Sequence, residues 1–421
     1  MTGNTRHTQH TSHWRPTMKP LLFEDDPQFW YETLRAIGHA AYGGSDFGEV
    51  IATAQKITAG DYDSWYEQWS ATAERTAAQA DAARAGGHRI SARDAYLRAS
   101  NYFRSAEFFL HGNPDDPRIA AAYERAVGAF REAARLFEPR VEPVEIPFEG
   151  TVLHGYFYRA PGDAPAPTII MHNGFDGSAE EMHFFGGAAG VERGYHVLTF
   201  DGPGQPAARF RDGLPFRPNW ETVVTPVVDW LIAERPEADP ERIALFGLSM
   251  GGVLAPRAAA FEHRLAAVVA VDGVYDLGDI STRQLRMPRA EAEALLRAEH
   301  APEADAAFEA LMKTNPTMRW AITHGSYVMD VRTPRQFLAS YLDYTLADGV
   351  AERITCPTLV CDAEDDLFFA GQAEQLYEHL TCPKTLARFT VEEGAGAHCH
   401  TGAQRLAMGR IFDWLDTTLR P

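Results

Sequence analysis

A mostly parallel, doubly wound α/β sheet preceded by an all-helical region is the architecture this sequence predicts, on three observations. Between Asp26 and about Phe137 the chain runs in Ala-rich amphipathic segments. After about residue 140 short apolar runs alternate with helical stretches. In "RIALFGLSMGG", residues 242–252, a buried apolar run passes through a glycine-flanked serine into a helical segment. The first observation is helical periodicity, and the second is the pattern of strands whose two faces are both covered by crossover helices.

Residues 1–19, "MTGNTRHTQHTSHWRPTMK", are polar and aperiodic and are expected to be a flexible leader with solvated histidines. Residues 20–140 then form a helical unit of about four helices. Its segments "DPQFWYETLRAIGHAA", "DYDSWYEQWSATAERTAAQADAARA", "SARDAYLRASNYFRSAEFFLHG" and "DPRIAAAYERAVGAFREAARLF" each open on an Asp or Ser suited to capping. Its aromatics, among them Trp30, Trp65, Trp69, Tyr96, Tyr102, Phe103, Phe108 and Phe109, are core residues by default. Their number exceeds what a core of that size requires, so some from "SWYEQW" and "YLRASNYFRSAEFF" are expected to roof a ligand cleft.

The prolines of "EPRVEPVEIPFEG" mark a boundary, and residues 141–421 carry the sheet. Runs such as "TVLHGYFYRA", "APTIIMHNG", "YHVLTFDGPG", "LAAVVAVDG" and "CPTLVCDAEDD" read as strands, several too apolar to be half exposed. A helical insertion after the sixth strand, at about residues 277–350, breaks the rhythm with segments such as "RAEAEALLRAEHAPEADAAFEALM".

At 421 residues and 45% hydrophobic composition the chain can bury a large core and a smaller one. Its net charge of -19 argues against nucleic acid or an anionic membrane as partner and favours a small uncharged or cationic substrate. No run approaches the roughly 18–20 apolar residues of a membrane span, and no apolar signal core is evident, so the expected location is cytoplasmic. The four cysteines lack metal-finger spacing; reduced thiols, no metal site and no cofactor are expected.

Chemistry concentrates at strand ends. Ser249 lies on a strand-to-helix corner where Gly247 and Gly251 avoid collision, as a nucleophile requires. Such a serine needs an acid and then a histidine later in the chain. "CPTLVCDAEDDLFF" offers Asp365 and Asp366, of which Asp366 holds the fourth place of the "AEDD" turn. "AGAHCHTG" offers His398 or His400 as the base. The oxyanion calls for two backbone amides, those of Met250 and of Phe175 in "HNGFDGSAEE", with Gly174 permitting close approach. His172, His196, His263 and His324 read as structural. Asp176, Glu181 and Asp272, along with Glu180, stand near the elbow and are candidates to orient substrate or assist proton transfer, beside the plainer reading of loop hydrogen bonding and capping. Trp320, His324 and Tyr327 of the insertion are candidates to line the pocket.

These motifs, "HNGFDGSAEE", "FDGPGQ", "GLSMGG", "CPTLVCDAEDDLFF" and "GAGAHCH", together with the helical "SARDAYLRASNYFRSAEFFL", resemble the α/β-hydrolases with an N-terminal helical domain. Dihydropseudooxynicotine hydrolase and the fungal polyketide-shortening hydrolases of the yellowish-green pigment pathway are of this kind, and the fermentation-respiration switch esterase-like proteins are more distant. The resemblance implies a Ser249, Asp366, His398 triad, choosing His398 over His400. It also implies cleavage of a carbon–carbon bond in a 1,3-dicarbonyl substrate or of an ester, with a non-catalytic ligand-binding protein as the third reading. Pro206 departs from the glycine usual there. The helical domain is expected to be a lid, and a homodimer is a further expectation.

Overall fold

The computed structural model describes residues 18–162 and 164–420; the leader up to residue 17 lies outside them. Helices α1 (Pro27–Gly38), α2 (Phe47–Ala54), α3 (Tyr62–Ala85), α4 (Arg89–Glu107) and α5 (Pro117–Leu136) form the N-terminal helical region. Three of the expected caps are in place: the side chains of Asp26, Asp61 and Asp116 accept amides of the first turns of α1, α3 and α5. The fourth is corrected, because α4 begins at Arg89 behind His88 with no side-chain cap, which puts Ser91 inside the helix. Helix α2 was not anticipated; eight residues are too short to display periodicity.

Eight strands make one sheet in the order β1-β2-β4-β3-β5-β6-β7-β8. They are β1 (Glu142–Phe148), β2 (Thr151–Tyr158), β3 (Ala166–His172), β4 (His196–Phe200), β5 (Ala238–Leu248), β6 (Ala267–Val271), β7 (Thr358–Ala363) and β8 (Lys384–Phe389). Strand β2 is antiparallel to both β1 and β4, and the pairs from β4 through β8 are parallel. The Pro-rich boundary segment is itself strand β1. Its prolines are tolerated because it lies at the sheet edge, where a ladder N–H can be missing.

Helices α6 (Gly187–Glu192), α7 (Pro206–Asp212), α8 (Glu221–Glu234), α9 (Gly251–Ala259), α15 (Gln372–His379) and α16 (Gln404–Leu419) flank the sheet. Between β6 and β7 run α10 (Leu277–Arg283), α11 (Arg289–Arg297), α12 (Pro302–Thr314), α13 (Pro316–Val328) and α14 (Pro334–Ser340). The departure at Pro206 is absorbed locally: it takes the first position of α7, where no N–H is needed. Strands β4 and β6 are buried along their whole length, and no described helix is long and apolar enough to cross a membrane.

One core continues from the sheet into the helical region. Trp65, Trp69 and Phe29 are fully buried, and Trp65 packs on Phe29 and Phe109 at ring separations of 4.7 and 5.0 Å. Phe108 of the helical region stacks on Trp320 of α13 at 5.3 Å with planes 14° apart, joining that region to the insertion. Phe108→Ala is therefore expected to destabilise the whole chain by about 3 kcal/mol, read as a shifted urea midpoint with unchanged slope.

Candidate active site

The elbow is built by strain and close approach. Ser249 adopts φ 60, in the left-handed region that non-glycine residues avoid, and its amide is held by the carbonyl of Val271 at 3.0 Å. A Cβ at Gly247 would collide with the carbonyl of Gly251, so only glycine lets β5 turn directly into α9. Ser249 is thus presented at the C-terminal edge of the parallel strands.

The loop after β8 brings His398 to it, with Nε2 2.8 Å from Ser249 Oγ. On the other side of the ring, Nδ1 stands 3.0 and 3.1 Å from the two oxygens of Asp366, in the loop after β7. A second carboxylate is as near: Asp272 Oδ2, at the end of β6, lies 2.8 Å from the same Nδ1. The carboxylates fix the proton on Nδ1 and leave Nε2 to accept the serine hydroxyl. Burial works against a charged ring, but Asp366 foremost, with Asp272 among the further contributors, outweighs it and holds the His398 pKa well above its ordinary 6.5. His400 is turned away from the serine, donating to the Ala395 carbonyl at 3.2 Å and stacking on Phe389.

The loop after β3 packs directly on the elbow at Gly174, where a Cβ would fall 2.5 Å from the Met250 nitrogen, and Phe175 follows it in the chain. Gln205 braces this loop by donating to the carbonyls of Asn173 and Gly174 and accepting from the Gly202 amide. His172 is a structural group: its Nδ1 donates to the Asn173 carbonyl, its Nε2 accepts from Trp220, and burial lowers its pKa to about 4. His196 likewise bridges backbone groups, at Ala160 and Glu237.

Above Ser249 lies a cavity of about 60 Å³. Asp176, Phe175 and Trp320 line it, together with Asn173, Tyr341, Phe368 and Phe369. Three of the candidates lie off this lining. Asp272 does not line the cavity but contacts His398 instead, because its left-handed backbone (φ 54) ends β6 beside the histidine loop. Tyr327 lies two turns beyond Trp320 on α13 and lines a separate small cavity with His111 and Arg209. Glu181 is buried beneath the cavity wall as an ion-pair partner.

The expected roofing aromatics are also corrected. Trp65, Trp69 and Tyr102 form the core of the helical region, and the residues that reach the cavity from it are Tyr31 and Arg35, on α1. Tyr31 donates to the His398 carbonyl at 3.3 Å and bonds Thr401 Oγ1 at 3.2 Å. Arg35 grips Glu181 with Nε and Nη2 (2.8 and 2.6 Å) and Asp176 with Nη1 (2.8 Å). Arg104 adds weaker contacts, 3.4 Å to Glu181 and 3.5 Å to Glu32. Sequence reasoning missed Tyr31 and Arg35, and their spacing of four on an amphipathic helix, placing both on one face, was the available signal.

Burial alone would raise the Glu181 pKa, but Arg104 and Arg35 outweigh it and hold it well below 4.5. Glu107, close by, is pushed up to about 8 by burial, with Arg104 only partly opposing. Asp272, His398 and Cys399 also present donor atoms within 4.8 Å of one another; burial pushes the thiol up to about 12, keeping it neutral and a poor ligand.

The chain matches the alpha/beta hydrolase family over residues 152–407. It is 38% identical to the hydrolase LUC6 of a Fusarium species, over 93% of this chain and 96% of that protein. It is 37% identical to the 20-hydroxy-prefusarin hydrolase FUS2 of Gibberella moniliformis, with the same shares covered. The crystal structure of 2,6-dihydroxy-pseudo-oxynicotine hydrolase superposes with a TM-score of 0.70 at 23% identity, over 91% of this chain and 95% of that one. The protein belongs to the alpha/beta hydrolase family and is a hydrolase.

Two outcomes test the electrostatics. Arg35→Met leaves Glu181 and Asp176 without their main partner and is expected to cost about 3–5 kcal/mol in urea unfolding. Glu107 holds a proton in the folded state up to about pH 8, whereas the unfolded chain releases it near its ordinary 4.5. Between those values the folded state binds more protons, so this group's contribution to stability falls as pH rises. Glu107→Gln should remove that fall and gain on the native protein between pH 5 and pH 8, read as the difference in melting temperature.

Proposed function

We propose that the protein is a serine hydrolase that cleaves a carbon–carbon bond in a 1,3-dicarbonyl small molecule, with Ser249 as nucleophile, His398 as base and acid, and Asp366 as its orienting carboxylate. The observation that carries this reading is the 2.8 Å approach of Ser249 Oγ to His398 Nε2 beneath a largely aromatic cavity. In this scheme Oγ attacks one carbonyl carbon while its proton passes to Nε2. The oxyanion is held by the amides of Phe175 and Met250. Collapse breaks the bond to the central carbon, whose electron pair moves onto the second carbonyl as an enolate. His398 returns the proton to that carbon, and water activated by the same ring hydrolyses the acyl-enzyme. The products are a carboxylic acid and a ketone.

A water-poor site suits this chemistry, since an enolate is stabilised by fixed donors that water would otherwise screen. The helical region serves as the lid, through Tyr31 and Arg35. A relative named as a 20-hydroxy-prefusarin hydrolase supports a small-molecule substrate.

Matched ester and 1,3-diketone substrates decide the bond: product mass is expected to show acid plus ketone from the diketone, and turnover of the ester alone would make the protein an esterase. Ser249→Ala is expected to lower turnover by several orders of magnitude with an unchanged melting temperature. Retention of more than about a tenth of the rate would remove the elbow from the mechanism. Dialysis against a chelator is expected to leave the rate intact, and loss restored by zinc would overturn the metal-free scheme.

A further inference from the structure

His398 Nδ1 carries one hydrogen and faces two carboxylates from two different strands, and their surroundings differ. Asp366 is also a turn-former, its Oδ1 accepting the amides of Phe368 and Phe369 at 2.7 and 2.9 Å. Asp272 caps no turn of its own. Its Oδ2 accepts the Cys399 amide and meets His398 Nδ1 at 2.8 Å, and its Oδ1 is buried without a hydrogen-bond partner. A carboxylate 2% exposed and half unsatisfied is costly to keep unless a positive charge forms beside it.

We propose that Asp272 is a second positioning carboxylate for His398, able to hold the Nδ1 proton and balance the imidazolium alongside Asp366 and, when Asp366 is lost, in its place. The inference rests on Ser249 and His398 being nucleophile and base. The groups facing the ring are Asp366 from the β7 loop, Asp272 from the end of β6, the Tyr31 phenol from α1, and Cys399 and His400 from its own loop. Only the two aspartates carry negative charge at neutral pH, Tyr31 and Cys399 being driven further into their neutral forms by burial. With two carboxylates and one neutral imidazole the cluster bears two uncompensated negative charges; protonation of the ring halves that. The Asp272 pKa is held below its ordinary 3.8: burial would raise it, and His398 outweighs the burial.

The consequence is a stronger base that stays protonated to higher pH. Attack by Ser249 requires the neutral ring, so activity rises with pH through the raised histidine value, and removing either carboxylate moves that rise to lower pH.

The test uses hydrolysis of 4-nitrophenyl acetate by the full-length chain, as kcat/KM against pH, with melting temperatures for each variant. Ser249→Ala sets the floor. Asp366→Asn is expected to stay at least about tenfold above that floor, the Asp272→Asn/Asp366→Asn double variant to fall to it, and Asp272→Asn to shift the acid limb down by about one pH unit. An Asp366→Asn variant that melts like the native protein yet sits at the floor, or an Asp272→Asn limb that coincides with the native one, overturns the proposal and leaves the triad reading standing. Full activity in Ser249→Ala overturns both. The two single variants decide independently, so misfolding of one leaves the other to judge.

Discussion

The grip of Arg35 on Glu181 and Asp176 is the interaction on which the site depends. It joins α1 to the loop after β3, and that loop carries the Phe175 amide. A guanidinium with both forks used on carboxylates has fixed geometry, so helix and loop are held in one register. Because the ions are almost fully buried where helical region and sheet meet, their desolvation is offset only by pairing with one another, which fixes the partners. The association of the helical region with the sheet is therefore more than apolar packing. Tyr31, one turn earlier on α1, uses the same register to reach the His398 carbonyl.

Charge is arranged on both sides of Ser249. On one side stands a histidine between two aspartates; on the other, backbone amides at the turn Gly174 makes possible, beside the ion-paired Asp176. Such a site is preorganised for transient charge, because its donors and carboxylates are held by strand ends and by one another before substrate arrives. The cavity they enclose is lined mainly by rings, including those of Phe368 and Phe369, which meet His398 nearly edge-on at 4.8 and 5.2 Å.

Much of this was legible in the residues themselves. Apolar runs long enough to be doubly covered strands, Asp residues ahead of amphipathic segments, and a serine between glycines at a corner are local signals, and the structure puts the corresponding elements together. Edge strand β1 was hidden by its two prolines, whose meaning reverses once the strand is known to lie at the edge. The placement of Asp272, Glu181 and Tyr327 off the cavity lining was not legible for a different reason. Closeness to the elbow in sequence does not say which way a side chain leaves a strand end or which turn of α13 faces the cavity.

By itself the sequence determined most of the succession of strands and helices along the chain, the glycine-flanked turn at Ser249, and the later strand ends that carry Asp366 and His398, since each follows from local periodicity and steric demand. Tertiary structure alone decided which charges meet. That α1 rather than the Trp-rich α3 reaches the cavity, that Arg35 is spent on Glu181 and Asp176, and that His398 faces two aspartates are matters of long-range packing. Residues more than a hundred positions apart were brought to within 3.3 Å of each other by the sheet's spatial order of strands, and no period in the chain encodes that order.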